Sequence, residues 1–314
     1  MSAGAPTRSS ADLPVSPVTA VVCTAKRSRR TGESVTEELD PKSDRVVAVT
    51  GAGTGIGQAI AVKFGALGWR VAVGGRRLDR LAETVPLVED AGGTCLPHEL
   101  DVTDGDSVEQ FFADVESEFG TVTAVINNAA MARYGPLDDF SPAEIAAEIA
   151  TKLTGSLFMA RRGIQAMRRD GRGGDILFIT SLAAATPWPF HLPYAAASAG
   201  VEHAVRTLRL ELEGTGIRVL NLRCGETAGT DFATREMESG RARDANQAWF
   251  RMNLLRHTGL MVPDNVADAV VTAVTLPRGH QYSVMEVMPA APIGPLPTTF
   301  EEWGSAMAEK FAPH

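Results

Sequence analysis

Thr50-Gly51-Ala52-Gly53-Thr54-Gly55-Ile56-Gly57 is set between the apolar run Val46-Val47-Ala48-Val49 and a stretch with helical spacing. Glycines there permit a tight turn and let the backbone approach a pyrophosphate, whose charge is then held by free N–H groups at the helix N-terminus. A glycine-rich turn alone is a weak signal, but its place between a strand and a helix is what dinucleotide binding requires. The expected cofactor contacts in this turn are Thr50, Gly51, Gly53, Thr54, Gly55 and Ile56.

From Arg45 onward short β-branched runs alternate with helical stretches. Strands are expected at 46–50, 70–74, 94–100, 122–126, 176–180, 217–222 and 282–288. Between them Val108, Phe111, Phe112, Val115 and Phe119 fall on one helical face, as do Val201, Val205, Leu208 and Leu212. The nearly continuous apolar strands fit a sheet covered on both faces. The pattern predicts a Rossmann-type α/β fold, doubly wound around a mainly seven-stranded parallel sheet with helices on both faces, in a single domain over residues 45–289.

Residues 1–44 are rich in Ser, Thr and Pro and carry no aromatic, so they are expected to be a disordered N-terminal extension. Residues 290–314 form a C-terminal extension: a proline-rich stretch, then a capping box of Thr299 with Glu302 opening a short amphipathic helix. Its apolar stripe of Phe300, Trp303, Met307 and Phe311 is expected to serve as core or subunit contact rather than to face a ligand.

The formal charge of −8 gives no argument for a nucleic-acid or anionic-membrane partner, and no window approaches the run of apolar residues that a membrane helix needs. Cys23, Cys95 and Cys224 are scattered, and the histidines form no ligand spacing, so neither disulfides nor a metal is expected. These features fit a cytoplasmic protein acting on small molecules.

The second expected strand ends Val73-Gly74-Gly75-Arg76-Arg77. An acid belongs there if the adenosine ribose carries a free 2′-hydroxyl, and none is present. Arg76 and Arg77 instead offer fork-shaped donors for a 2′-phosphate, which favours NADP(H) over NAD.

With these motifs the chain resembles the short-chain dehydrogenase/reductase family over nearly all of residues 45–289. The matches are Thr50 to Gly57, Asp101-Val102, Asn127-Asn128-Ala129-Ala130, Ser181, and Tyr194 thirteen residues later. The resemblance implies that Asp101 and Val102 lie by the adenine, Asn128 and Ala129 by the cofactor ribose, and the segment from Cys224 to Thr230, with Gly225 and Thr227, by the nicotinamide. It also implies a homodimer or homotetramer.

Ser181 follows a strand and so lies at a carboxyl end of the sheet, where a hydroxyl can orient a substrate carbonyl. Tyr194 begins the next helix, and its phenol can give a proton to the same oxygen while a nicotinamide delivers hydride to the carbon.

Two departures from the family bear on function. The family's lysine four residues after the tyrosine is Ser198 here, and the asparagine of its Asn-x-x-Gly motif is Lys152 in Lys152-Leu153-Thr154-Gly155. The family's lysine lowers the tyrosine pKa by its positive charge. Either Lys152 reaches in from another helix to replace that ammonium, or it points to solvent and the charge is lost.

The stretch 231–257 stands where the family carries its substrate lid. With it, Trp188, Phe190, His191 and Trp249 are expected either to line a pocket for a bulky or cyclic carbonyl compound or equally to pack the lid to the body, with His191 as lining rather than acid. Cys224 reads as a small packing residue. The leading expectation is an NADP(H)-dependent carbonyl reductase with Ser181, Tyr194 and Lys152 as its catalytic groups. The alternative is a fold relative that has lost redox turnover and senses a cofactor or performs a non-redox step.

Overall fold

The computed structural model describes residues 45–231 and 240–310, besides Met1, so the expected N-terminal extension lies outside the described residues. Seven strands form one sheet in the order β3-β2-β1-β4-β5-β6-β7, and every neighbouring pair is parallel. The strands are β1 (Val46–Thr50), β2 (Arg70–Gly75), β3 (Thr94–Glu99), β4 (Ala124–Asn127), β5 (Gly174–Ser181), β6 (Ile217–Cys224) and β7 (Met285–Val287). Helices α1 (Gly55–Ala66), α2 (Leu78–Asp90), α3 (Gly105–Phe119), α4 (Pro142–Ile149), α5 (Gly155–Asp170) and α6 (Leu192–Glu211) fill the crossovers. Helices α7 (Arg241–Arg251), α8 (Pro263–Val274) and α9 (Phe300–Lys310) follow β6.

Alternate residues of each strand feed opposite layers, as a two-fold side-chain repeat demands. Val47 and Val49 of β1 join a layer built with α1 and α8, whereas Val46 and Ala48 join one built with α3, α5 and α6. Strand order reverses between β1 and β4, so the crevice at their carboxyl ends is where a doubly wound sheet binds its ligand. The expected last strand is shorter than its apolar run suggests. Only Met285–Val287 pair with β6, and Tyr282 and Val284 are exposed.

Local signals account for the helix ends that frame the crevice. Ser141 and Glu144 form a reciprocal capping box with Pro142 in the first turn of α4. Between α4 and α5 the chain makes one π turn, Ala150–Thr154. The helix then runs close to the strand ends because Gly155 has no side chain: a Cβ there would lie 2.7 Å from Cγ2 of Val102. Thr299 and Glu302 cap α9 as expected, with the Glu302 N–H donating to the Thr299 hydroxyl at 3.1 Å. A third apolar cluster joins α7 and α9 to Tyr134, Trp188 and Phe190, apart from the two sheet-covering layers. Among the described residues no helix is long and apolar enough to cross a membrane, and no group of His, Cys, Asp and Glu is placed to hold a metal ion.

Candidate active site

A cleft of about 1730 Å³ runs across the carboxyl ends of the strands, from Arg76, Arg77 and Asp101 at one end to Trp249 and Trp303 at the other. Its first half is made by the glycine-rich turn. Gly51 has φ +65°, and a Cβ on Gly57 would lie 2.3 Å from the Gly51 carbonyl oxygen, so the turn closes only with glycine at both positions. Gly51, Gly53, Thr54, Gly55 and Ile56 line the cleft. Thr50 does not, in contrast to the expectation. It is buried, and its hydroxyl accepts the Asn128 and Ala129 N–H groups at 3.0 and 2.9 Å, so it clamps the end of β4 to the end of β1. The Asn128 amide donates back to the Thr50 and Gly51 carbonyls at 2.9 and 3.2 Å, which brings Asn128 and Ala129 into the wall.

Arg76, Arg77, Asp101 and Val102 border the same half. Arg76 is exposed, and it helps the Thr103 hydroxyl hold the Asp101 carboxyl below its usual range. Arg77 is already engaged, donating to the Asp231 carboxylate at 2.8 Å from across the cleft. Residues 227–231 lie over the turn, with Thr230 Cγ2 3.2 Å from the position of a Cβ on Gly55. Gly225 and Thr227 also line the cleft, and the Thr227 hydroxyl donates to the Gly225 carbonyl at 3.1 Å.

The middle of the cleft brings Ser181, Tyr194 and Lys152 together. Ser181 ends β5, and its hydroxyl accepts the Ala183 N–H at 3.2 Å while also bonding the Tyr194 phenol. Tyr194 sits in the first turn of α6 behind Pro193 and is buried. Burial pushes its phenol up to about 12; Cys224 and the Glu148 carboxylate add to this, and the Ser181 and Ser198 hydroxyls oppose it. Ser198 is fully buried one turn further along α6, and its hydroxyl lies near enough to the phenol to oppose the rise in its pKa.

Lys152 points inward. It is 2% exposed, its ammonium donates to the Ile179 carbonyl at 2.5 Å, and that nitrogen lies 5.8 Å from the centre of the Tyr194 ring. The π turn in which it sits is the local cause: widening the helix by one residue turns this position toward β5, and π turns of this kind recur at functional sites. Burial brings its pKa down to about 8. Sequence reasoning missed Glu148, which is fully buried one turn before Lys152 and accepts the Arg133 N–H at 2.7 Å. Its i, i+4 spacing to Lys152 was the available signal.

The far half is aromatic. Trp188, His191 and Trp249 line it as expected, joined by Tyr134, Phe300, Trp303 and Met307. Phe190 does not line the cleft. It packs in the third cluster with φ 64°, a left-handed turn that reverses the chain between Trp188 and His191. The stripe on α9 faces the cleft as well as α7, which corrects the expectation of packing alone. Phe311 and residues 232–239 of the expected lid lie outside the described residues. His191 is stacked on Tyr194 at 4.6 Å between ring centres, and burial lowers its pKa to about 3, so it is neutral and no acid. Cys224 is buried and its thiol is pushed up by that burial, as a packing residue should be.

Comparison with known proteins agrees with this geometry. The family model described as short chain dehydrogenase matches residues 45–240. A sulfoacetaldehyde reductase of Chromohalobacter salexigens is 30% identical over 247 residues, which are 78% of this chain and 94% of that protein. An NADP-dependent 3-hydroxy acid dehydrogenase of Salmonella typhi is 29% identical over 245 residues, 78% of this chain and 94% of the relative. The solved structure of a serine dehydrogenase complexed with NADP+ superposes with a TM-score of 0.69 at 29% identity, covering 79% of this chain and 97% of that one. The sheet order, the glycine turn and these matches place the chain in the short-chain dehydrogenase/reductase family of oxidoreductases.

Proposed function

We propose that this protein is an NADPH-dependent reductase that converts a bulky or cyclic ketone to a secondary alcohol. The observation that carries this reading is the convergence of the Ser181 hydroxyl, the Tyr194 phenol and the buried Lys152 ammonium beside the glycine turn. The cleft exceeds the roughly 300–1,000 Å³ of a pocket for one drug-sized ligand, which suits a dinucleotide and a second molecule together. Arg76 and Arg77 at the end of β2, where no acid stands, support NADP(H), as do the NADP+ in the serine dehydrogenase structure and the cofactor named for the Salmonella relative.

Gly51, Gly53, Thr54, Gly55 and Ile56 would hold the pyrophosphate, Arg76 and Arg77 the 2′-phosphate, Asp101 and Val102 the adenine side, Asn128, Ala129 and Tyr194 the ribose side, and Gly225 and Thr227 the nicotinamide. Bound NADPH supplies the hydride that adds to the carbonyl carbon. The Ser181 hydroxyl orients the carbonyl oxygen by donating to it. Tyr194, whose raised pKa keeps it protonated at neutral pH, gives its proton to that oxygen. Lys152 supplies the positive charge that steadies the phenolate left behind, in place of the lysine that Ser198 replaces. Its pKa of about 8 means the charge is present at pH 7 and lost in mild alkali.

We further read the protein as a cytoplasmic homodimer or homotetramer, which sedimentation velocity tests for assembly. The first test of function is titration with NADPH and NADH followed by nucleotide fluorescence, then a panel of ketones with NADPH oxidation as readout. Tight NADPH binding, weak NADH binding and turnover of cyclic ketones are expected. Binding without turnover of any ketone contradicts the reductase reading, and binding of neither nucleotide contradicts the cofactor assignment.

A further inference from the structure

The substrate half of the cleft is constructed from aromatic rings, and two of its indoles have their N–H groups committed within the fold. Tyr134 meets His191 edge-on at 4.9 Å and Trp249 edge-on at 5.2 Å, and Trp188 meets Trp249 edge-on at 5.1 Å. The Trp249 indole N–H donates to the Pro189 carbonyl at 2.7 Å, and the Trp303 N–H to the His257 carbonyl at 3.1 Å. These two indoles therefore present ring surface, not donors, to whatever lies between α7 and α9. The left-handed backbone at Phe190 is a conformation that non-glycine residues rarely adopt, and the Gly135 N–H holds it by donating to the Phe190 carbonyl at 3.0 Å.

The charges of this half tell against an anionic substrate. His191 is neutral, and the Arg133 guanidinium is paired with Glu144. Lys152 is turned onto the Ile179 carbonyl, and Arg243, which lines the cleft from the first turn of α7, is exposed. Glu226 also lines the cleft, and burial raises its carboxyl above the usual range; the same desolvation penalises a substrate carboxylate beside it. Among the described residues no unpaired cation is buried in the aromatic half: Arg243, which lines the cleft, is exposed and screened by solvent. The relatives are named for sulfoacetaldehyde, 3-hydroxy acids and serine, which are small and ionised.

We infer that the substrate is an uncharged ketone carrying a planar aromatic ring, seated between Trp249 and the Trp303 side of α9 with its carbonyl toward Tyr194. This rests on the reductase reading and narrows it. A flat ring gains edge and offset contacts with these side chains that a saturated ring of equal size does not, whereas a carboxylate loses its hydration and finds no buried counter-charge.

The test compares acetophenone, cyclohexyl methyl ketone and para-acetylbenzoate as substrates of the full-length protein with saturating NADPH. The expected kcat/KM for acetophenone exceeds that for the cyclohexyl ketone by about threefold to tenfold and that for the carboxylate by more. Trp249→Leu should narrow the first gap through KM, with kcat little changed, and Trp249→Phe should restore it. Equal use of phenyl and cyclohexyl ketones, or preference for the carboxylate, overturns the inference while leaving the reductase reading intact. If NADPH binds but no ketone turns over, the reductase reading fails instead. Equilibrium dialysis of the same three compounds against the protein with NADP+ then decides the inference: retention of acetophenone above the other two supports it, and equal retention overturns it.

Discussion

The Lys152 ammonium nitrogen lies 5.8 Å from the centre of the Tyr194 ring and donates to the Ile179 carbonyl on the strand that ends in Ser181. It approaches from the π turn between α4 and α5, whereas position 198, one turn along α6 from Tyr194, holds only a buried serine hydroxyl. The positive charge of the site therefore enters from a different helix.

Burying an ammonium costs stability, and the sign is fixed by its pKa. The unfolded chain keeps Lys152 protonated up to its ordinary 10.5, whereas the folded chain releases that proton near 8. Between these values the unfolded state binds more protons, so this group's contribution to stability rises with pH across that window. Lys152→Met should stabilise the protein at pH 7 by about 1–2 kcal/mol, the relief of roughly 3 kcal/mol of desolvation less about 1 kcal/mol or more for the Ile179 carbonyl left without its donor. Urea unfolding at pH 7 and pH 10 should show that advantage shrinking in alkali. A variant less stable than wild type at pH 7 contradicts the burial of a charged lysine.

Tyr194→Phe removes the proposed proton donor and Ser181→Ala the group proposed to orient the carbonyl. Each should lower kcat for ketone reduction by about 10²–10⁴-fold. NADPH affinity, measured by fluorescence, should change little in Ser181→Ala. Substantial turnover in Tyr194→Phe assigns the proton to another group.

Asp231 already holds the guanidinium that would read a 2′-phosphate, through a pair whose side chains are 45% and 43% exposed. Such a surface pair contributes about 0–1 kcal/mol to stability, so losing it should not unfold the protein. Asp231→Asn frees Arg77 and removes a negative charge near the phosphate. NADPH should bind about threefold to tenfold tighter, with NADH unchanged. Arg76→Ala should weaken NADPH and spare NADH. Equal effects on both nucleotides contradict the phosphate assignment.

What could be read without coordinates was what rests on local spacing. The glycine turn is legible because a strand, a tight turn and a helix N-terminus are contiguous, and Ser181 and Tyr194 because strand end and helix start are separated by a fixed short connection. Lys152 was legible as a departure, but its direction depends on a single π turn that no periodicity announces. The relations that escaped are between distant segments. Thr50 withdraws from the cleft because the end of β4 uses its hydroxyl, Arg77 meets Asp231 across the chain, and α9 returns over the substrate half through Trp303 and His257. For Phe190 the sequence leaves pocket lining and lid packing equally open. Its left-handed backbone sends it into the neighbouring cluster.

The pH dependence of ketone reduction by wild type and Lys152→Ala between pH 6 and 10, at saturating NADPH, shows whether Lys152 is the cation that serves Tyr194. Wild-type kcat should be level below pH 8 and fall above it as Lys152 loses its proton, while the phenol stays protonated to about 12. Lys152→Ala should be about a hundredfold slower at pH 7, with no break near pH 8. A variant that keeps full turnover and the wild-type profile would show that Lys152 is not the cation of this site.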